Sequence, residues 1–214
     1  MIEKLNKIRT PDKNVLLKNK IINTILIFFL GIVLGIIAKW LDNLAIDNSI
    51  WWQHIIGNLN LNNVLSEFGI WLFIALAISV YSKSPLRAAL NVFLFFVGMN
   101  VSYHLYTIMF SGFNPKAYMM IWYGLTIISP LLAVICWYSK GERIPAIIIS
   151  SLIIGVMFKI SFSIGLVYFG FKSIIDTLIF IGSLIVLYTK PRNILISLMC
   201  GIVIGFAVSS FIYV

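Results

Sequence analysis

About seven long apolar stretches, separated by short turns that carry lysine and arginine, dominate this chain of 214 residues. A run of roughly 20 apolar residues is what an α-helix needs to cross a hydrocarbon core about 30 Å thick. Helices suit that medium because they satisfy every backbone N–H and C=O internally. The expected fold is therefore all-α, a polytopic transmembrane bundle of about seven spans. Charged residues make up only 11% of the chain and hydrophobic residues 61%, whereas a soluble domain carries about a quarter charged residues. Residues 1–20 read as a basic cytoplasmic tail and 21–214 as a single bundle, with an interfacial outer loop at 39–67.

The spans are expected at Ile21–Ala38, Phe68–Ser82, Ala88–Phe110, Ala117–Tyr138, Pro145–Ser163 or beyond, Ile174–Thr189 and Ile194–Val214. The first follows a basic tail as a signal peptide would, but its core is too long. No small-x-small cleavage pattern follows it, since the next residues are Lys39-Trp40-Leu41-Asp42, so it reads as a retained first helix. Pro130 removes a backbone donor in the middle of span four and predicts a kink after Ser129. The outer loop holds Asp42, Asp47, His54 and the pair Trp51-Trp52, with apolar residues spaced for an amphipathic helix lying in the interface.

The net charge of +9 does not mark a nucleic-acid partner, because the cations sit between apolar spans and are not interleaved with stacking aromatics in a polar segment. The tail carries Lys4, Lys7, Arg9, Lys13, Lys18 and Lys20 against Glu3 and Asp12. Alternate turns hold Lys83 and Arg87, Lys140 and Arg143, and Lys190 and Arg192, while the other loops hold Asp42, Asp47, Glu67 and Asp176 with Lys39, Lys116 and Lys172. The bias of lysine and arginine toward the cytoplasm then places the N-terminus inside and the C-terminus outside. A six-span alternative, with one weak span in the interface, would put both ends on one side. Cys136 and Cys200 have neither pairing nor metal-ligand spacing and read as packing thiols.

Tyr81, Tyr138 and Tyr188 each open one of the basic turns, and Gly98, Gly155 and Gly205 each follow 17 positions later. Lys20 to Gly35 repeats the 15-residue offset from lysine to glycine, and Gly31-Ile-Val-Leu-Gly35 nearly matches Gly201-Ile-Val-Ile-Gly205. Repeated helical hairpins account for both features. The ordinary placement of tyrosine and lysine at membrane edges accounts for the turns alone. On either reading, Gly31, Gly35, Gly98, Gly155, Gly201 and Gly205 are helix-packing candidates, because a missing side chain lets backbones approach closely.

Polar residues inside the spans are the candidate binding groups. Asn100 and His104 are four apart and share a helical face; such a pair reads either as interhelical hydrogen bonding or as ligand contact. Lys159 lies roughly 21 Å into its helix, where it either snorkels to the headgroups or pairs with Asp176, Glu67 or an anionic substrate. With Trp122, these residues fall on the outward side, where an open vestibule and an ordinary headgroup layer with its aromatic belt are the two readings. Metalloprotease, nucleophile-elbow and phosphate-loop patterns do not occur, which argues against an enzyme, and no residue pattern suggests a tightly held cofactor.

The words Lys39-Trp-Leu-Asp42, Tyr81-Ser-Lys-Ser-Pro, Asn114-Pro-Lys-Ala-Tyr118 and Trp137-Tyr-Ser-Lys-Gly141 resemble a family of small bacterial multi-pass membrane proteins with no assigned activity. The resemblance implies an inner-membrane location and carries no functional residues across. Two functions are expected from the residues. One is a transporter, or a membrane subunit of one, that binds or moves a small solute or amphiphile from the outer face. The other is an accessory, immunity or assembly factor that packs against a membrane-protein partner through Gly31, Gly35, Gly201 and Gly205. Membrane lipids are partners in both.

Overall fold

Helix accounts for 79% of the computed structural model, which describes residues 6–12, 16–47, 49–165 and 168–212, with 210–212 as backbone alone. Glu3, Lys4, Lys13 and Val214 lie outside the described residues. Among the described residues, five helices are long and apolar enough to cross a membrane: α1 (Leu17–Asp42), α5 (Pro85–Tyr106, continued by a π-helical turn to Ser111), α6 (Lys116–Tyr138), α7 (Ile144–Ser161) and α9 (Pro191–Ile212). Their outward surfaces expose Leu26, Phe29, Val33, Ile127 and Leu131, while Thr24, Asn91, Asn100, Thr107 and Ser183 are buried. An apolar exterior over a partly polar interior is the pattern of a membrane protein, where lipid rather than water is the solvent.

Of the seven expected spans, the two with the tightest bounds, Phe68–Ser82 and Ile174–Thr189, are short helices. α4 (Phe68–Tyr81) and α8 (Ile174–Leu187) have 14 residues each, or roughly 21 Å at the α-helical rise, against about 30 Å of hydrocarbon. They pack against each other. α4 is preceded by α2 (Trp51–Asn58) and α3 (Leu61–Ser66), so the loop expected to hold one amphipathic helix holds two. Asn60, at φ 54°, breaks them apart in the left-handed region, which asparagine tolerates better than most side chains.

α8 is preceded by a two-stranded antiparallel hairpin, β1 (Phe162–Ile164) and β2 (Phe169–Phe171), with Phe162 opposite Phe171 and Ile164 opposite Phe169. The helix expected to run to Ser163 or beyond therefore stops at Ser161. Phe162 stacks among Phe158, Phe169, Phe171 and Phe180 at ring separations of 5.2–5.6 Å. This aromatic cluster draws the chain out of the helix, and no local helix breaker marks the place.

Small residues decide which helices touch. A Cβ on Gly31 or Gly35 of α1 would strike the backbone carbonyl of Phe95 or Met99 on α5, and one on Gly98 would come within 2.6 Å of the Phe28 carbonyl. The pair α7 and α9 uses the same device. A Cβ on Gly155 would lie 3.0 Å from the Gly201 carbonyl, and one on Gly205 would lie 3.2 Å from the Gly155 carbonyl. All six glycines thus face another helix of the same chain, at α1–α5 and α7–α9.

The helix ends that carry the basic turns gather at one end, and the tail docks there. Arg9 donates from Nη1 to the Trp137 carbonyl (2.7 Å) and from Nη2 to the Val80 carbonyl (2.9 Å), with its guanidinium 4.2 Å from the Trp137 ring centre. Lys140 Nζ donates to the Val186 carbonyl at 2.6 Å. Two cations thereby satisfy the C-terminal carbonyls of α4, α6 and α8, which also carry the negative ends of the helix dipoles. Burial pushes the Arg9 pKa down to about 10, so its charge persists at neutral pH.

Candidate functional site

An elongated apolar chamber of about 370 Å³ lies between α4, α5, α6 and α7. α6 and α7 are joined by a short basic turn yet touch only sparsely; α6 runs unbroken through Pro130, which contributes no backbone donor there. Ala75 of α4 and Ala133 of α6 line the space, and their short side chains leave it unfilled. The chamber reaches from Phe68 to Ser79 along α4 and from Trp122 to Cys136 along α6, about 16 to 21 Å by the helical rise. Leu132, Ile135, Leu152 and Val156 line it and are also exposed on the outer surface, so it opens sideways toward the bilayer between α6 and α7.

The walls offer almost no polar recognition. Ser79 Oγ donates to the Ala75 carbonyl at 2.7 Å, and Ser129 Oγ donates to the Thr126 carbonyl at 2.8 Å, so both hydroxyls are turned back onto their own helices. Phe68 stacks on Trp122 at 4.8 Å and closes the end away from the basic turns. The volume falls within the ~300–1,000 Å³ typical of small-molecule sites, but the chemistry suits hydrocarbon rather than a charged or sugar-like solute.

Of the residues singled out in the sequence, Trp122 lines this chamber. Asn100 and His104 do share a face, and it meets α6. Asn100 is 1% exposed and donates from Nδ2 to Thr126 Oγ1 (2.6 Å) and the Trp122 carbonyl (3.3 Å). The adjoining void, lined by Asn100, Tyr103 and Trp122, is only about 10 Å³, enough for at most one water. The His104 ring nitrogens bond Tyr123 Oη at 2.8 Å and Asn114 Oδ1 at 2.9 Å. Both residues tie α5 to α6 and its preceding loop.

The remaining three candidates lie near the starts of the short helices and the hairpin, and only Asp176 caps a helix. Glu67 precedes α4 and pairs with Lys172 at 3.9 Å, an exposed pair worth no more than about 1 kcal/mol. Asp176 forms a reciprocal cap on α8: its N–H donates to Ser173 Oγ at 3.0 Å while that hydroxyl donates to Asp176 Oδ2 at 2.7 Å. Lys159 Nζ reaches the Ile164 carbonyl at 3.4 Å and so supports the hairpin. These residues approach one another around α4 and α8 without lining the chamber.

Sequence reasoning missed a second polar cluster at the same end. Asp42 accepts from Tyr103 Oη (2.6 Å) and Ser66 Oγ (2.7 Å) and lies 3.8 Å from Lys39 Nζ. It joins α1, α3 and α5 in a saturated hydrogen-bonded group. The word Lys39-Trp-Leu-Asp42 is its sequence trace, since residues three apart share a helix face. Among the described residues no group of three His, Cys, Asp or Glu side chains is arranged to hold a metal ion. No family model, curated protein or solved structure matches the chain.

Proposed function

We propose that this membrane protein binds a lipid-like amphiphile by its hydrocarbon portion, taken up sideways from the bilayer into the α4–α7 chamber, as a transporter or the membrane subunit of one. The observation that carries the reading is the chamber itself: long, apolar, open between α6 and α7, with its hydroxyls already satisfied. Each methylene moved from water into such a space gains about 0.8 kcal/mol. From the bilayer the gain is far smaller, so selection rests on shape. The basic end, with Arg9, Lys83, Lys140 and Lys190, is assigned to the cytoplasm by the bias of lysine and arginine. On that topology the Phe68–Trp122 end faces outward, and the resemblance to small bacterial membrane proteins supports the bacterial cytoplasmic membrane. Partner packing through Gly31, Gly35, Gly201 and Gly205 is not favoured, because α5 and α7 already occupy those faces.

Filling the chamber tests the proposal. The double variant Ala75→Leu and Ala133→Leu is expected to weaken binding of a nitroxide-labelled palmitoyl chain at least about tenfold, since one good overpacked contact costs on the order of 1–3 kcal/mol. Thermal unfolding should remain cooperative. Unchanged binding in a folded double variant would refute the chamber as the site.

A further inference from the structure

We propose that the basic end carries a second site, for the phosphate headgroup of an anionic phospholipid, in a cavity of about 250 Å³ between α1, the α4–α5 turn and α5. Its walls divide into two halves. Lys20 on α1, Lys83 in the turn, and Arg87 and Asn91 on α5 line one; Leu26 and Ile27 on α1 and Ile78 on α4 line the other. An oxyanion joined to hydrocarbon has this division of chemistry.

The charge is unbalanced in the required direction. Three cations face the cavity, and the one carboxylate paired with them among the described residues is Asp12, 3.7 Å from Lys83 Nζ with both side chains about half exposed. Lys20 makes no ion pair among the described residues. Arg87 Nη2 donates to the Lys20 carbonyl and, at 3.0 Å, to Thr24 Oγ1. These bonds orient the guanidinium and, among the described residues, leave Nη1 and Nε for an acceptor, the fork that suits phosphate oxygens. Asn91 accepts from Thr24 Oγ1 at 2.7 Å and donates to Ser82 Oγ at 3.2 Å, which holds the floor of the cavity rigid.

A free phosphate would meet the same cations, but it has no use for the apolar half. Leu26 and Tyr81 are each 61% exposed, and Leu26 leads from the cations along the apolar flank of α1, where an acyl chain would lie. A basic pocket between transmembrane helices at the cytoplasmic side is well placed for an anionic headgroup. This inference rests on the membrane reading and on the cytoplasmic assignment of the basic end, but not on the α4–α7 chamber, whose test uses other residues and a different probe.

The full chain in neutral detergent is titrated separately with dioleoylphosphatidylglycerol, dioleoylphosphatidylcholine and inorganic phosphate, with retention read by native mass spectrometry. Phosphatidylglycerol is expected to be retained in preference to the other two. The double variant Lys20→Gln and Lys83→Gln should weaken it about 25-fold, roughly fivefold per lysine, while Lys172→Gln at the opposite end leaves it unchanged. Equal retention of both lipids, wild-type affinity in the double variant, or inorganic phosphate matching phosphatidylglycerol would overturn the assignment. If the double variant does not fold, the wild-type preference must still fall with added salt, and a salt-independent preference is equally fatal.

Discussion

Gly31→Leu is expected to prevent α1 from seating on α5 and to cost at least about 3 kcal/mol, a large share of the 5–15 kcal/mol that typically separates folded from unfolded chains. A Cβ at this position meets the Phe95 carbonyl and comes within 3.1 Å of the Met99 amide. Both are backbone atoms of a helix and cannot rotate aside, so the helices must separate along the whole α1–α5 contact. Gly98→Ala should behave similarly, with the Phe28 carbonyl 2.6 Å from the new methyl. Gly124 is the control. Nothing lies within 4 Å of a Cβ there, so Gly124→Ala should be neutral or stabilising by up to about 1 kcal/mol through helix propensity. Thermal unfolding in detergent reads all three. If Gly31→Leu unfolds at the wild-type temperature and instead loses a co-purifying protein, these glycines face a partner and the packing described here is wrong.

Arg9→Met is expected to destabilise the protein by about 3 kcal/mol, although Arg9 lies outside every helix long enough to cross a membrane. Hydrogen bonds to charged groups contribute about 1.5–3 kcal/mol each, and Arg9 makes two, to carbonyls at the ends of two different helices. Its contact with the Trp137 ring adds a cation–π term of about 0.5–2 kcal/mol, and the Trp137 indole itself donates to the Ser82 carbonyl at 2.7 Å. Arg9→Lys should recover less than half of the loss, because a single ammonium cannot reproduce the planar fork between two carbonyls. Limited proteolysis gives an independent reading: the segment around Arg9 and Asp12, held also by the Asp12 N–H to the Lys83 carbonyl at 2.9 Å, should become cleavable in Arg9→Met. A variant with unchanged melting and a protected tail would show that the docking carries no weight.

Arg9 also marks how far the residues alone could be read. It stands in the tail as the one arginine among lysines, a hint that a multidentate donor is needed, but its acceptors lie 71 and 128 positions away. Asn100, His104 and Lys159 announced themselves as polar groups in apolar helices. Whether each served a ligand or a neighbouring helix depended on which side chains stood opposite, and those came from α6 and from the β1 strand. The chamber had a weaker trace. Pro130 predicted a disturbed helix, but α6 runs unbroken through it, and Ala75 and Ala133 become a cavity only when α4 and α6 face each other across it.

By itself the order of apolar stretches and cationic turns determined a helical membrane protein and placed most helix ends to within a few residues, because hydrocarbon thickness and backbone hydrogen bonding are constraints that each segment meets on its own. Only the tertiary structure decided that Phe162 leaves the helix for a strand, that six glycines close two helix pairs, and that a long apolar space remains between α6 and α7. Those outcomes come from contacts between segments distant in the chain, and the packing of one helix's small residues against another's backbone is not encoded in either helix alone.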